Sequence, residues 1–171
     1  MLPKTIIVIA MFSLVSMSCS KSYKWITTDR NEKILVGGIK RKQLNDDKFP
    51  WFKKNYDSYN TAANTDILYL KAYNARVTFV VFAGTWCDDT QNLLPKFYRV
   101  LDEAQFPESA VVLYGVDRNK KSLKGEADKN VLSKVPTIIV YKDGKEIGKV
   151  VESVKSSIEV DLKEMILDSS H

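Results

Sequence analysis

A chain of 171 residues with 44% hydrophobic residues and a formal net charge of +5 has the size and composition of one globular domain around a single sizeable core. Its basic residues are interspersed with acids and lack interleaved aromatics, as at Lys40-Arg41-Lys42 and Lys120-Lys121, which argues against nucleic-acid binding. The sole histidine is the terminal His171, which leaves no basis for Ser-His-Asp or Cys-His catalysis or a His-based zinc site, and two cysteines are too few for a disulfide framework.

Residues 1–18 read as an export signal, with Lys4 in the basic segment, an apolar run from Thr5 to Val15 and small residues at Ser16-Met17-Ser18. The run is too short to span a bilayer. Cys19 resembles the acceptor cysteine of a bacterial lipoprotein, so the expected location is the periplasm or cell envelope, with a membrane anchor through a lipid on Cys19. Ser16 stands where an aliphatic residue is usual, so ordinary cleavage and an uncleaved anchor stay open. Removal of Lys4 leaves the mature chain at about +4, a charge that solubility alone explains.

Residues 19–63 are expected to form an N-terminal tether and a packed extension, and 64–171 the main domain. Ile34-Leu35-Val36 suggests a strand ending at Gly37-Gly38. The segment from Gln43 to Tyr59 carries Leu44, Phe49, Trp51, Phe52, Tyr56 and Tyr59, aromatics that need burial as a cap on the domain; a partner-binding surface is the alternative. Asn64 is placed to N-cap a short helix carrying Ile67, Leu68, Leu70 and Ala72. Val77 to Ala83 is an apolar run of the kind found in a strand buried on both faces.

A helix is predicted from Asp88 to Ala104, with Leu93, Leu94, Phe97, Val100 and Leu101 along one stripe and a kink at Pro95. Ala110 to Val116 reads as a second buried strand and Ala127 to Ser133 as a short helix. Thr137 to Tyr141, a two-residue turn at Asp143-Gly144 and Ile147 to Val151 make a hairpin. Ser156-x-x-Glu159 is a capping box for a last helix carrying Val160, Leu162, Met165 and Ile166. Alternating strands and helices of this kind form an α/β sandwich around a mixed sheet.

Four features in order carry a resemblance. Trp86-Cys87-Asp88-Asp89-Thr90 follows the central strand and opens a helix, Pro95 lies within that helix, Val135-Pro136-Thr137 precedes the hairpin, and Lys142-Asp143-Gly144 turns it. Over roughly residues 65–168 the chain resembles the thioredoxin-like family, and in particular the exported thioredoxin-fold proteins and lipoproteins of Bacteroidetes-type bacteria. The resemblance implies a three-layer α/β/α sandwich with a central mixed sheet and a cis proline at Pro136 facing Cys87. It also marks departures. Thr90 stands where a resolving cysteine would be, Val81 where the dithiol reductases carry a buried acid, Leu113 near that acid's lysine partner, and Glu152 where a glycine keeps the groove open.

Those departures leave one thiol at the site. A helix N-terminus favours an anionic sulfur, and Asp88 and Asp89 oppose it. The Thr90 hydroxyl is positioned to donate to the sulfur, although it equally suits a first-turn helix residue. The reading with most support is monothiol exchange. Cys87 attacks a protein or small-molecule disulfide, an external thiol resolves the adduct, and Trp86, Val135, Pro136 and Thr137 bind the substrate, partly as an added strand. A partner-binding or chaperone-like module is the alternative, in which Cys87 is a remnant. A cluster site like that of monothiol glutaredoxins is disfavoured by the Asp88-Asp89 pair, so no cofactor or metal is expected.

Overall fold

A computed structural model describes residues 22–61, 64–130 and 132–169. The export signal, Cys19 and His171 lie outside these. In chain order the elements are β1 (Tyr23–Thr27), β2 (Lys33–Ile39), α1 (Arg41–Leu44), α2 (Pro50–Ser58), α3 (Asn64–Ala72), β3 (Val77–Ala83), α4 (Asp88–Glu103), a 3-10 turn at Glu108–Ala110 and β4 (Val111–Gly115). They continue with α5 (Glu126–Lys129), β5 (Thr137–Lys142), β6 (Lys145–Val151) and α6 (Ile158–Asp168).

The strands form one mixed sheet in the order β1-β2-β4-β3-β5-β6. Strand β3 pairs in parallel with β4 and antiparallel with β5, so its backbone is satisfied on both sides. Side chains on a strand alternate between faces. Phe79, Val81 and Ala83 enter the main core with Leu94 and Phe97 of α4 and Leu162 and Ile166 of α6, while Phe82 joins Val116, Ala127, Val135 and Ile139 on the opposite face. That second face is covered by the short α5 and its flanking loops, which include the segment carrying Pro136.

The N-terminal extension is part of the sheet. Strands β1 and β2 form an antiparallel hairpin, and β2 also pairs antiparallel with β4. The expected stop at Gly37-Gly38 is not observed, because β2 runs through both glycines to Ile39. Gly37 has φ +103°, and a Cβ there would lie 2.5 Å from both Leu123 and the Ser22 carbonyl, so it marks a close approach within the strand. Leu44, Phe49 and Phe52 are buried in the main core, and Phe52 meets Tyr98 of α4 edge-to-face.

Helix α2 also answers a problem created by Pro95. Proline has no N–H to give the carbonyl four residues earlier, which is that of Gln91. Asn55 of α2 donates its amide N–H to that oxygen at 2.9 Å.

Near the C-terminus, Asp143 (φ +52°) and Gly144 (φ +80°) form the two-residue turn predicted for them. The last helix starts one residue later than expected. Its N-cap is Ser157, whose hydroxyl accepts from Val160 N, and the N–H groups of Lys155 and Ser156 are taken by the Asp161 carboxylate. Glu159 is buried and accepts from the Tyr59 hydroxyl, so it serves the packing of the extension and not a capping box. Asn64 is already the first helical residue of α3. Leu68 is 63% exposed, leaving Ile67 and Leu70 to face the core.

Candidate functional site

The strand β3 ends in the loop Gly84-Thr85-Trp86-Cys87, and a backbone hydrogen bond from Cys87 N to Gly84 O closes that turn. Cys87 is the N-cap of α4, in extended backbone conformation, and is half-buried. Its thiol donates to the Val135 carbonyl at 3.3 Å. The Val135–Pro136 peptide is cis. Thus the loop before α4 and the loop before β5 meet at the sulfur.

Trp86 is held from several sides. Its indole Nε1 donates to Val116 O at 3.0 Å, and the Arg118 guanidinium lies over the ring at 4.9 Å from its centroid. A Cβ on Gly84 would fall 2.7 Å from the indole, so glycine is required for this packing.

Two predicted site residues are placed differently from expectation. Thr90 is fully buried, and its hydroxyl accepts from Gly84 N at 3.3 Å instead of donating to the Cys87 sulfur. The first turn of α4 turns this side chain back under the loop, where it secures a buried backbone N–H. Thr137 is flanked by Phe82 on one side and Val151 on the other, so it has no free edge for a substrate strand. Its hydroxyl donates to Lys134 O at 2.8 Å and tightens the proline loop. Of the expected pair, Val135 is the residue whose carbonyl faces the thiol.

An ion pair borders the same loop. Lys134 and Glu152 meet at 2.5 Å, and Glu152 N donates to Pro136 O. Glu152 adopts φ +62°, a conformation suited to glycine. Its carboxylate, through the hydrogen bond first and charge second, raises the Lys134 ammonium above its ordinary range, and Asp89 adds to the effect. Val81 and Leu113 are register partners on β3 and β4 and are both buried in the apolar core, so beneath the site these positions hold no proton carrier.

Sequence reasoning missed Arg118, Lys134 and Thr85. Arg118 and Lys134 sit in charged loop stretches with no distinguishing spacing. Thr85 is buried and accepts from Leu35 N, a contact across 50 residues that local pattern cannot show. The wide surface cavities, of about 760 Å³ beside α1 and α2 and about 740 Å³ near Arg76 and Asp143, do not include Cys87. Neither cavity is lined by a residue of the Cys87 loop or the proline loop. Among the described residues there is no cluster of metal-ligating side chains, and no helix is long and apolar enough to cross a membrane.

The thioredoxin family model matches residues 59–164. Thioredoxin-1 of Saccharomyces cerevisiae is 30% identical over 83 residues, covering 48% of this chain and 75% of the yeast protein. The thioredoxin of Geodia cydonium is 30% identical over 97 residues, covering 57% of this chain and 83% of its own. The X-ray structure of Fasciola hepatica thioredoxin aligns with a TM-score of 0.38 and 26% identity, over 61% of this chain and 91% of that one. The family model, over residues 59–164, spans β3, the Cys87 loop, the proline loop and the hairpin, and on that basis the chain belongs to the thioredoxin family.

Proposed function

We propose that this chain is an envelope-anchored thioredoxin-like protein that carries out monothiol thiol–disulfide exchange through Cys87. The observation that supports it most is the meeting of the Cys87 thiol and the Val135 carbonyl at 3.3 Å at the start of α4, with Thr90 in place of a second thiol. In the exchange, the Cys87 thiol loses its proton to solvent. The thiolate then attacks one sulfur of a disulfide, forming a Cys87–S–S–R bond and expelling the other half as a thiolate. An external thiolate next attacks the Cys87 adduct, carries R away as a new disulfide and returns Cys87 to the thiolate. Ionisation of the thiol also frees the Val135 carbonyl to accept an N–H from an extended substrate.

The test is direct. Incubation of the protein acylated at Cys19 with a small disulfide at neutral pH is expected to add one substituent by mass, and Cys87→Ser is expected to add none. Absence of any adduct on the wild type would sink the proposal.

The second reading, a partner-binding module, draws on the half-buried Trp86 and on the solvent-facing Lys134–Glu152 pair that borders the proline loop. Under that reading Cys87→Ser retains its partners, whereas under exchange it fails to trap them. The envelope location rests on Cys19, and mass spectrometry of the mature protein from its host tests it through the mass of a diacylglyceryl group.

A further inference from the structure

We infer that the N-terminal hairpin β1–β2 is a positioning element for the reactive loop, acting on Trp86 through Glu32 and Arg118 and on Thr85 through Leu35. The hairpin lies outside the region matched by the family model, residues 59–164. It touches Thr85 directly and reaches Trp86 through Arg118. Leu35 N donates to the Thr85 hydroxyl at 3.3 Å in a buried setting. Glu32 sits in the turn between β1 and β2, where its backbone exchanges hydrogen bonds with Thr28, and its carboxylate accepts from Arg118 Nη2 at 2.5 Å.

Arg118 then lays its guanidinium over the Trp86 indole. Its Nε is buried and has no hydrogen-bond partner. The guanidinium both pairs with Glu32 and stacks on the indole. The indole is therefore fixed on one face by Arg118, at its N–H by Val116 O, and against Gly84, where a Cβ has no room. A half-exposed Arg–Glu pair adds little to global stability. Its effect is local, on the orientation of the ring that lies beside the thiol and forms the surface an extended substrate crosses.

The experiment uses the chain carrying fluorotryptophan, with the Trp86 resonance assigned by Trp86→Phe, and two probes. One is a small aromatic disulfide, and the other is an extended cysteine peptide carried as a mixed disulfide with the same aromatic thiol. Glu32→Gln and Arg118→Lys are each expected to shift the Trp86 fluorine resonance and to slow the peptide reaction by about threefold to tenfold, with the small disulfide within about twofold. The double variant is expected to be no slower than Arg118→Lys alone, because both changes break one chain of contacts.

An unmoved Trp86 resonance overturns the inference, as does additive slowing in the double variant. Equal slowing of both probes together with a lower melting temperature also overturns it, since that pattern belongs to general destabilisation. The inference rests on Cys87 as the reacting thiol. A wild type that reacts with neither probe defeats that reading, while the fluorine resonance still decides whether Glu32 and Arg118 act on Trp86.

Discussion

Thr90 shows how a residue in a motif position takes a different job once its side-chain direction is fixed. Its hydroxyl holds the Gly84 N–H inside the protein, so Thr90→Val leaves that donor unpaired and is expected to cost about 1–3 kcal/mol in chemical denaturation. The rate of adduct formation at Cys87 is expected to change far less; a loss of the adduct out of proportion to stability would return Thr90 to the chemistry. Glu152 offers the converse case. Glutamate at φ +62° bridges to Lys134 beside the proline loop, and glycine adopts that backbone without strain. Glu152→Gly is expected to raise the rate with extended peptide disulfides by about threefold or more while leaving small disulfides alone, measured by release of the aromatic thiolate. The placement of Trp86 and Cys87 was legible in sequence because a loop between a buried strand and a helix is a strong local pattern, and that of Val135 because the family resemblance sets a proline loop opposite Cys87. The aim of the Thr90 hydroxyl was not, since it depends on a backbone amide six residues earlier.

At the level of elements, the α2–α4 contact joins two features that look unrelated in sequence. Pro95 leaves the Gln91 carbonyl without its helical partner, and Asn55 supplies one. Asn55→Leu is expected to lose about 1 kcal/mol in denaturant unfolding. In the Pro95→Ala background the loss is expected to shrink, because the restored N–H serves the same oxygen; an undiminished loss would show that Asn55 works through packing alone. The strand β3 and the Asp143-Gly144 turn matched their predicted bounds because each carries a strong local signal, a continuous apolar run in one case and a turn requiring positive φ in the other. Strand β2 and the cap of α6 did not. Gly37 and Gly38 resemble a stop until the Leu123 loop that crowds Gly37 is known, and Ser156 and Ser157 are equivalent as caps until Asp161 takes the N–H of Ser156.

The whole molecule is larger than the family-matched region because β1, β2, α1 and α2 share its sheet and core. A fragment beginning at residue 59 loses Leu35, Ile39, Leu44, Phe49 and Phe52 and bares the edge of β4. It is expected to aggregate or fail to show a cooperative thermal transition, while residues 22–169 fold as one unit; a soluble, cooperative fragment would contradict this. Acid stability follows from the same joins. Burial pushes the Asp102 carboxyl upward, but hydrogen bonds from Arg41 and Tyr56 outweigh it and hold the carboxyl below its ordinary range. Asp143 is held low by its hydrogen bonds from Arg76, and Asp46 by Lys48. A carboxyl depressed in the folded state lends stability in full above its unfolded pKa and loses it as pH falls through the folded value. The denaturation midpoint is therefore expected to decline from about pH 4 downward, with a shallower decline in Asp102→Asn. The half-buried Cys87, the one cysteine among the described residues, has a thermodynamic corollary. Among the described residues there is no second cysteine to pair with it, so this part of the chain has no internal dithiol couple of its own. Under the proposed exchange, what a glutathione titration reads on it is the exchange constant of a mixed disulfide, so its oxidation state tracks the ratio of thiols to disulfides around it.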